Sequence, residues 1–141
     1  MIPTIPAMLV VVASLCMMLA LVLAWCLAGF RTSAFMKKVF PNYQYLLKSH
    51  IDFLMMTGLL FVFFLLFSHF RLTPPAFVIV AMSAGSVGNP LGFLALAIKP
   101  DLPQRPTSVF GAVMVSSFML TTIGYGGAAW ILAHAVMTGA R

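Results

Sequence analysis

The chain contains very few charged residues and almost no acidic ones. Only 7% of its 141 residues are charged, and Asp52 and Asp101 are the only acids. A soluble globular domain carries about 25% charged residues. The chain is also 62% hydrophobic, with a mean hydropathy of +1.09. This composition excludes an ordinary soluble domain and indicates a membrane protein.

Cysteine is scarce as well, since only Cys16 and Cys26 are present. They lie in one hydrophobic segment, about 15 Å apart at the rise of a helix, whereas a disulfide needs Cα atoms within about 7 Å. We therefore expect two small packed side chains and no disulfide. The sequence also lacks a nucleotide-binding loop, a zinc-protease motif, a nucleophile elbow and a Cys-x-x-Cys pair.

Four long hydrophobic segments occupy most of the chain, and about 20 apolar residues suffice for a helix to cross a bilayer. The sequence therefore predicts an all-α integral membrane bundle, with residues 1–141 forming a single transmembrane domain. No Lys or Arg precedes the first segment, so we expect a retained helix rather than a signal peptide. The predicted spans are about 6–30, 46–70, 75–98 and 107–137.

The net charge of +6 comes from basic residues that are spread between the hydrophobic segments. This distribution is typical of topology signals and does not form a nucleic-acid-binding stripe, so we expect no nucleic-acid partner. Lys and Arg accumulate in cytoplasmic loops, which places both termini on the periplasmic or outer side. The two loops predicted to be inside contain Arg31, Lys37, Lys38, Lys48, Lys99 and Arg105, and the outside contains Arg71 and Arg141.

The third and fourth segments carry small and mildly polar residues on one face each. Pro90 removes a backbone hydrogen bond in the third segment and predicts a kink there. Small faces allow helices to approach closely, either within the chain or between subunits. The third helix, with its kink and its amide on one face, either packs tightly or lines a cavity. The two faces consist of Gly85, Gly88, Asn89 and Gly92, and of Ser117, Thr121, Gly124 and Ala128.

Ionisable groups inside a membrane are costly, and this makes His50 the first candidate for a functional residue. His50 lies near the start of the second span, where it is able to ligate a metal or haem, carry protons, or bond to lipid headgroups. Asn89 lies roughly 13 Å from the inner end of the third span, so His50 and Asn89 are candidates for one cavity. Asp52 does not share a helix face with His50. The helix dipole favours an acid near the start of the span, and Lys48 is near enough to pair with it; alternatively, Asp52 supports a ligand or binds a loop.

A second candidate site consists of His69 and His134, which both lie near the outer ends of their spans. Two histidines at one depth are able to hold a haem or a copper ion, although interfacial histidines are common. Tyr125 falls in the outer half of the fourth span, and we expect it to be too far from Asn89 to share a site.

The arrangement of these features resembles styrene oxide isomerase and its membrane-bound relatives. The resemblance rests on four spans in a short chain, a basic first loop with Tyr43 and Tyr45, His50 at the entrance of span two, Asn89 in span three and Gly124-Tyr125 in span four. It covers most of the chain, but its motifs are short.

This resemblance implies a homotrimer in the bacterial inner (cytoplasmic) membrane, with haem b near the subunit interfaces. His50 would be the axial ligand, and ferric iron would act as a Lewis acid that opens a small apolar epoxide to an aldehyde. Asn89 would be the catalytic residue that orients the substrate. The family has a tyrosine one turn after this Asn, whereas this chain has Phe93, which is able to shape an apolar substrate pocket but not to hydrogen-bond an alkoxide.

Two other functions remain open at the level of the sequence. The first is a haem or redox membrane protein that shares the scaffold without isomerase activity, and Phe93 favours it. The second is a non-catalytic helical subunit of a larger membrane complex. A transporter is disfavoured because the sequence shows neither repeated halves nor a paired charge network in its spans.

Overall fold

The computed structural model describes residues 4–139 and consists of five helices, with no strand in that range. The side chains are described from residue 6 onward. The helices are α1 (Thr4–Thr32), α2 (Ala34–Val39), α3 (Tyr43–His69), α4 (Ala76–Ile98) and α5 (Val109–Thr138).

The predicted all-α fold with four membrane-spanning helices is confirmed. Helices α1, α3, α4 and α5 are each long and apolar enough to cross a bilayer. The helix ends differ by a few residues from the predicted spans, because side chains that cap the helices determine where they begin. Asn42 accepts a hydrogen bond from the Tyr45 N–H at 3.2 Å and starts α3 early, and Ser108 caps α5 by accepting from the Gly111 N–H at 3.0 Å.

The structure contains two local features that the sequence did not predict. The short helix α2 lies in the first loop, where Ser33 caps it by accepting from the Met36 N–H. Pro75 is the N-cap residue of α4 rather than part of its first turn. Helix α4 continues through Pro90 to Ile98, and the Pro90 carbonyl accepts a hydrogen bond from the Ser49 hydroxyl at 2.8 Å.

The four long helices form an antiparallel bundle in which α3 packs between α1 and α4, and α4 packs between α3 and α5. The Asn42 N–H donates to the Ala97 carbonyl, so the start of α3 lies beside the end of α4. We call this end of the bundle the basic end, because it carries the loops with Arg31, Lys37, Lys38, Lys99 and Arg105. The end where α3 joins α4 is the distal end. Cys16 and Cys26 are both free, as expected.

The small-residue faces of α4 and α5 pack against each other. A Cβ added to Gly85 would collide with the backbone of Thr121, and one added to Gly88 would collide with the Ser117 hydroxyl. On α5, a Cβ on Gly124 would lie only 2.7 Å from the Cα of Met82. The close helix approach predicted from the sequence is therefore confirmed within the chain. Because this packing already buries Gly85, Ser117 and Gly124, these faces are not available for contacts between subunits.

Gly124 and Gly126 provide a matched test of this packing, since both lie on α5 but only Gly124 faces α4. A Cβ on Gly126 meets nothing within 4 Å. We expect Gly124→Ala to destabilise the bundle by about 1–3 kcal/mol through overpacking. We expect Gly126→Ala to leave stability unchanged or slightly raised, because alanine favours the helix. Thermal unfolding followed by circular dichroism in detergent measures both, and equal behaviour of the two variants would contradict the close α4–α5 contact.

Candidate functional site

The imidazole of His50 is held by the neighbouring helix α1. Its Nδ1 lies 2.9 Å from the backbone carbonyl oxygen of Ala20. A carbonyl can only accept a hydrogen bond, so Nδ1 carries the hydrogen and donates it. In the neutral ring the lone pair therefore lies on Nε2. Metal-ligating histidines commonly have this arrangement, because the second nitrogen fixes the tautomer and the orientation of the ring.

The surroundings of His50 on α3 are apolar and partly open. His50 is half-buried, and Leu54, one turn further along the same face, is 40% exposed. Gly58 follows after another turn, is exposed, and has nothing within 4 Å of the position of a Cβ. These three residues lie on one face of α3 at intervals of four. Together they form an apolar surface with an imidazole at one end and bare backbone at the other.

Asn89 lies on a different side of the bundle, in the interface between α4 and α5. It is 4% exposed, and its Nδ2 donates to the Thr121 hydroxyl at 3.0 Å. Its Oδ1 is buried and has no hydrogen-bond partner among residues 4–139. Buried polar atoms in proteins nearly always have a partner, so an unpartnered amide oxygen is a group that is able to bind a donor.

Tyr125 belongs to the same interface, which corrects the expectation that it would be too far from Asn89. Its hydroxyl lies 2.7 Å from the hydroxyl of Ser86, and Ser86 is one turn before Asn89 on α4. Thr121, the partner of Asn89, is one turn before Tyr125 on α5. The sequence estimate compared only depths along the spans and did not consider that a long side chain reaches back along its helix.

The phenol of Tyr125 also connects this interface to α3, since it donates to the Met56 sulfur at 3.8 Å. The polar groups of α4 and α5 therefore form a cluster of hydroxyls and an amide between α3, α4 and α5. A further hydroxyl in the same interface, that of Ser117, is buried without a partner in the described part of the chain. We call this set the α4–α5 polar cluster; its members are Ser86, Asn89, Ser117, Thr121 and Tyr125.

Asp52 approaches the polar cluster from α3. Two contacts fix the antiparallel register of α3 on α4. Tyr45 stacks on Phe93 with 6.5 Å between ring centroids, and the Ser49 hydroxyl donates to the Pro90 carbonyl. Asp52 follows Ser49 on α3 by one turn, so it lies at the level of Ser86, and it is half-buried. A carboxyl group thus lies beside the polar cluster.

The expected pairing of Lys48 with Asp52 is not formed within the described residues. The Lys48 ammonium instead lies over the ring of Tyr45, 5.3 Å from its centroid. Lys48 and Asp52 are four residues apart on α3, but the long lysine side chain is directed to the aromatic pair at the basic end. The cation–π contact leaves the Asp52 carboxylate beside the cluster.

Phe93 lines a cavity of about 330 Å³ between α3, α4 and α5 at the basic end. Its walls are mostly aromatic and apolar, including Tyr45, Phe110, Met114 and Phe118, with Lys48 and Gln104 as polar groups. Phe93 is thus one wall of a mostly apolar cavity, and its predicted role in a substrate pocket stays a prediction. Neither His50 nor Asn89 is among the residues that line it.

The structure directs His50 and Asn89 to different neighbours within the chain. His50 on α3 hydrogen-bonds to α1, whereas Asn89 on α4 hydrogen-bonds to α5. The two side chains therefore point to opposite sides of the α3–α4 pair. The common cavity that their depths predicted is not seen within a single copy. The error arises because depth along a span does not determine which helix face a side chain occupies.

The two remaining histidines both lie at the distal end. His69 packs edge-on against Phe70 with 5.0 Å between ring centroids, and His134 lines a shallow cavity with Leu72 and Trp130. Both are exposed, and a site shared between them stays a prediction. In the described range, residues 4–139, no three His, Cys, Asp or Glu side chains lie together as a ready-made metal site.

Comparison with known proteins adds no family to these observations. The chain matches no protein-family model, no curated protein and no solved structure.

Proposed function

We propose that this chain is a haem-b-binding membrane protein in which His50 is the axial ligand. We propose further that it isomerises a small apolar epoxide to an aldehyde. The observation that carries the proposal is the hydrogen bond from His50 Nδ1 to the Ala20 carbonyl. This bond leaves Nε2 as the free nitrogen and fixes the plane of the ring before any ligand arrives.

The residues around His50 fit a flat macrocycle that needs one protein ligand. A haem supplies four nitrogen ligands of its own, so a cluster of several protein ligands is not required. The exposed face from His50 through Leu54 to Gly58 is apolar, and the absence of a side chain at Gly58 leaves room against the helix backbone. When bound, ferric haem supplies a Lewis-acidic iron that is able to polarise an epoxide oxygen.

The α4–α5 polar cluster supplies the groups that would hold an oxygen-bearing substrate. Tyr125 offers a hydroxyl whose hydrogen is held by the weak contact to the Met56 sulfur, and Asn89 offers both an amide donor and an unpartnered oxygen. Phe93 lacks a hydroxyl, but Tyr125 brings one from α5 to the level of Ser86, one turn away from Asn89. The apolar helices around the cluster would exclude water and protect a reactive intermediate from hydrolysis.

The separation of His50 from the polar cluster supports an oligomer as part of the proposal. In one copy, His50 lies at the α1–α3 side and the cluster at the α4–α5 side of the bundle. A site that uses both requires the α1–α3 face of one copy to meet the outer surface of α4 and α5 in another, because the faces packed between these two helices are already filled. A homotrimer is one closed arrangement in which each interface repeats this pairing.

A second candidate function is a haem or redox membrane protein without isomerase activity. Phe93 favours it, because the ring stacks on Tyr45 and places no hydrogen-bonding group at the cavity wall. Under this alternative, His50 keeps its role as ligand and the polar cluster serves to pack α4 on α5.

The ligand role of His50 is tested by an absorption spectrum of protein purified in mild detergent after growth with added haem. We expect a Soret band in the wild type that vanishes or shifts in His50→Ala, because removal of Nε2 removes the axial ligand. His69→Ala is the matched control, since His69 is exposed and packs on Phe70 at the distal end. A Soret band unchanged in His50→Ala, or absent from the wild type, would overturn the proposal.

The isomerase role is tested by Tyr125→Phe, which keeps the ring and removes the hydroxyl. We expect epoxide turnover to fall by about 10²-fold, as for loss of one donor to a developing oxyanion, while the Soret band is unchanged. Tyr43→Phe is the control, because Tyr43 packs on Phe30 outside the cluster. A wild-type protein with a Soret band but no turnover of any apolar epoxide would favour the redox alternative.

A further inference from the structure

The turn that ends helix α3 holds an arginine in a left-handed backbone conformation, which non-glycine residues rarely adopt. Arg71 has a φ of +52°, and it is the only non-glycine residue with positive φ in the described part of the chain. The Arg71 N–H donates to the Ser68 carbonyl, and the Leu72 N–H donates to the Phe67 carbonyl. This pair of hydrogen bonds is the Schellman motif that terminates many helices.

The left-handed position of a Schellman motif is usually glycine and sometimes asparagine. An arginine there is strained by its Cβ, and glycine would relieve that strain. The arginine therefore contributes something other than helix termination. Its backbone conformation also fixes where the side chain leaves the helix end, because the turn is held on both sides by the two hydrogen bonds.

Arg71 lines a cavity of about 400 Å³ at the distal end. The apolar residues that line it are Pro6, Phe64, Phe67 and Leu72, and the polar ones besides Arg71 are Ser68 and Thr73. One cavity thus combines apolar residues with an arginine and two residues that carry hydroxyls, which is the composition that an amphipathic anion requires.

The position of this cavity in the bilayer identifies the class of anion. Helix α3 contains 27 residues and is about 40 Å long, whereas the hydrocarbon core is about 30 Å thick. The end of α3 therefore reaches the level of the lipid headgroups, and the apolar wall extends from there toward the acyl chains. Among residues 4–139, Arg71 is the only Lys, Arg, Asp or Glu at the distal end, so no acidic side chain there neutralises it.

We propose that Arg71 and this cavity form a binding site for an anionic phospholipid of the surrounding leaflet. The guanidinium binds the phosphodiester, for which its planar array of donors is suited. Ser68 and Thr73 are placed to donate to further headgroup oxygens, and the wall formed by Phe64, Phe67 and Leu72 covers the upper part of an acyl chain. This site does not depend on the proposed haem or isomerase function.

The site is tested by native mass spectrometry of the full chain, released from micelles that contain equal amounts of phosphatidylglycerol and phosphatidylcholine. We expect the wild type to retain phosphatidylglycerol in preference to phosphatidylcholine by about tenfold, the factor for one charge-assisted contact. Arg71→Gly should lose this preference and unfold at the same or a higher temperature, because glycine suits the turn. Arg71→Lys should retain part of the preference.

Arg31→Gln is the matched control, since it removes one positive charge at the basic end. It should keep the full preference, and loss of preference in Arg31→Gln would show that net charge alone selects the lipid and would overturn the site. Equal preference in Arg71→Gly and wild type would also overturn it. Displacement of phosphatidylglycerol by millimolar inorganic phosphate would show recognition of a free anion, against the proposed lipid.

Discussion

A polar group in the hydrocarbon core of a bilayer must find its hydrogen-bond partner inside the protein. Several hydroxyls in this bundle do so on their own helix, as Thr57 does by donating to the Phe53 carbonyl at 2.8 Å. A smaller number bond across helices, and these bonds mark where the helices meet. Ser49 joins α3 to α4, His50 joins α3 to α1, and Tyr125 joins α5 to α4. The arrangement of the bundle and its candidate chemistry thus depend on the same few side chains.

The close approach of α4 and α5 explains why the polar cluster exists at all. Glycines at Gly85 and Gly124 bring the two backbones together, and the short side chains between them have little room for water. In this packing the Asn89 amide nitrogen donates to the Thr121 hydroxyl, but the Asn89 amide oxygen has no hydrogen-bond donor within the described residues. An interface that served only to join helices would gain from an apolar residue at that position, because an unpartnered buried amide oxygen costs free energy.

Hydropathy and composition predicted the number and approximate limits of the spans, because lipid places a strong constraint on helix length. The close-packed faces of α4 and α5 were also predictable, since small residues repeated on one face. Side-chain direction was not predictable in the same way. Depth along the spans placed His50 with Asn89 and placed Tyr125 elsewhere. In the structure, His50 faces α1, and the Tyr125 side chain reaches back to Ser86, one turn from Asn89. Lys48 shows a related effect, as an aromatic ring rather than the nearby carboxylate lies beneath its ammonium.

The hydrogen bond from His50 to Ala20 has a weaker counterpart two turns away, where the Thr57 hydroxyl shares the hydrogen that it donates to the Phe53 carbonyl with the Ala13 carbonyl at 3.4 Å. The two donors are seven residues apart on α3, and the two acceptors are seven residues apart on α1, so both bonds form in the same axial alignment. Helix α1 is otherwise uniformly apolar along this contact and offers no charge to define its position. Because backbone carbonyls recur once per turn of a helix, a shift of α1 along α3 by part of a turn would misalign both acceptors at once. The two bonds therefore restrict how α1 slides along α3.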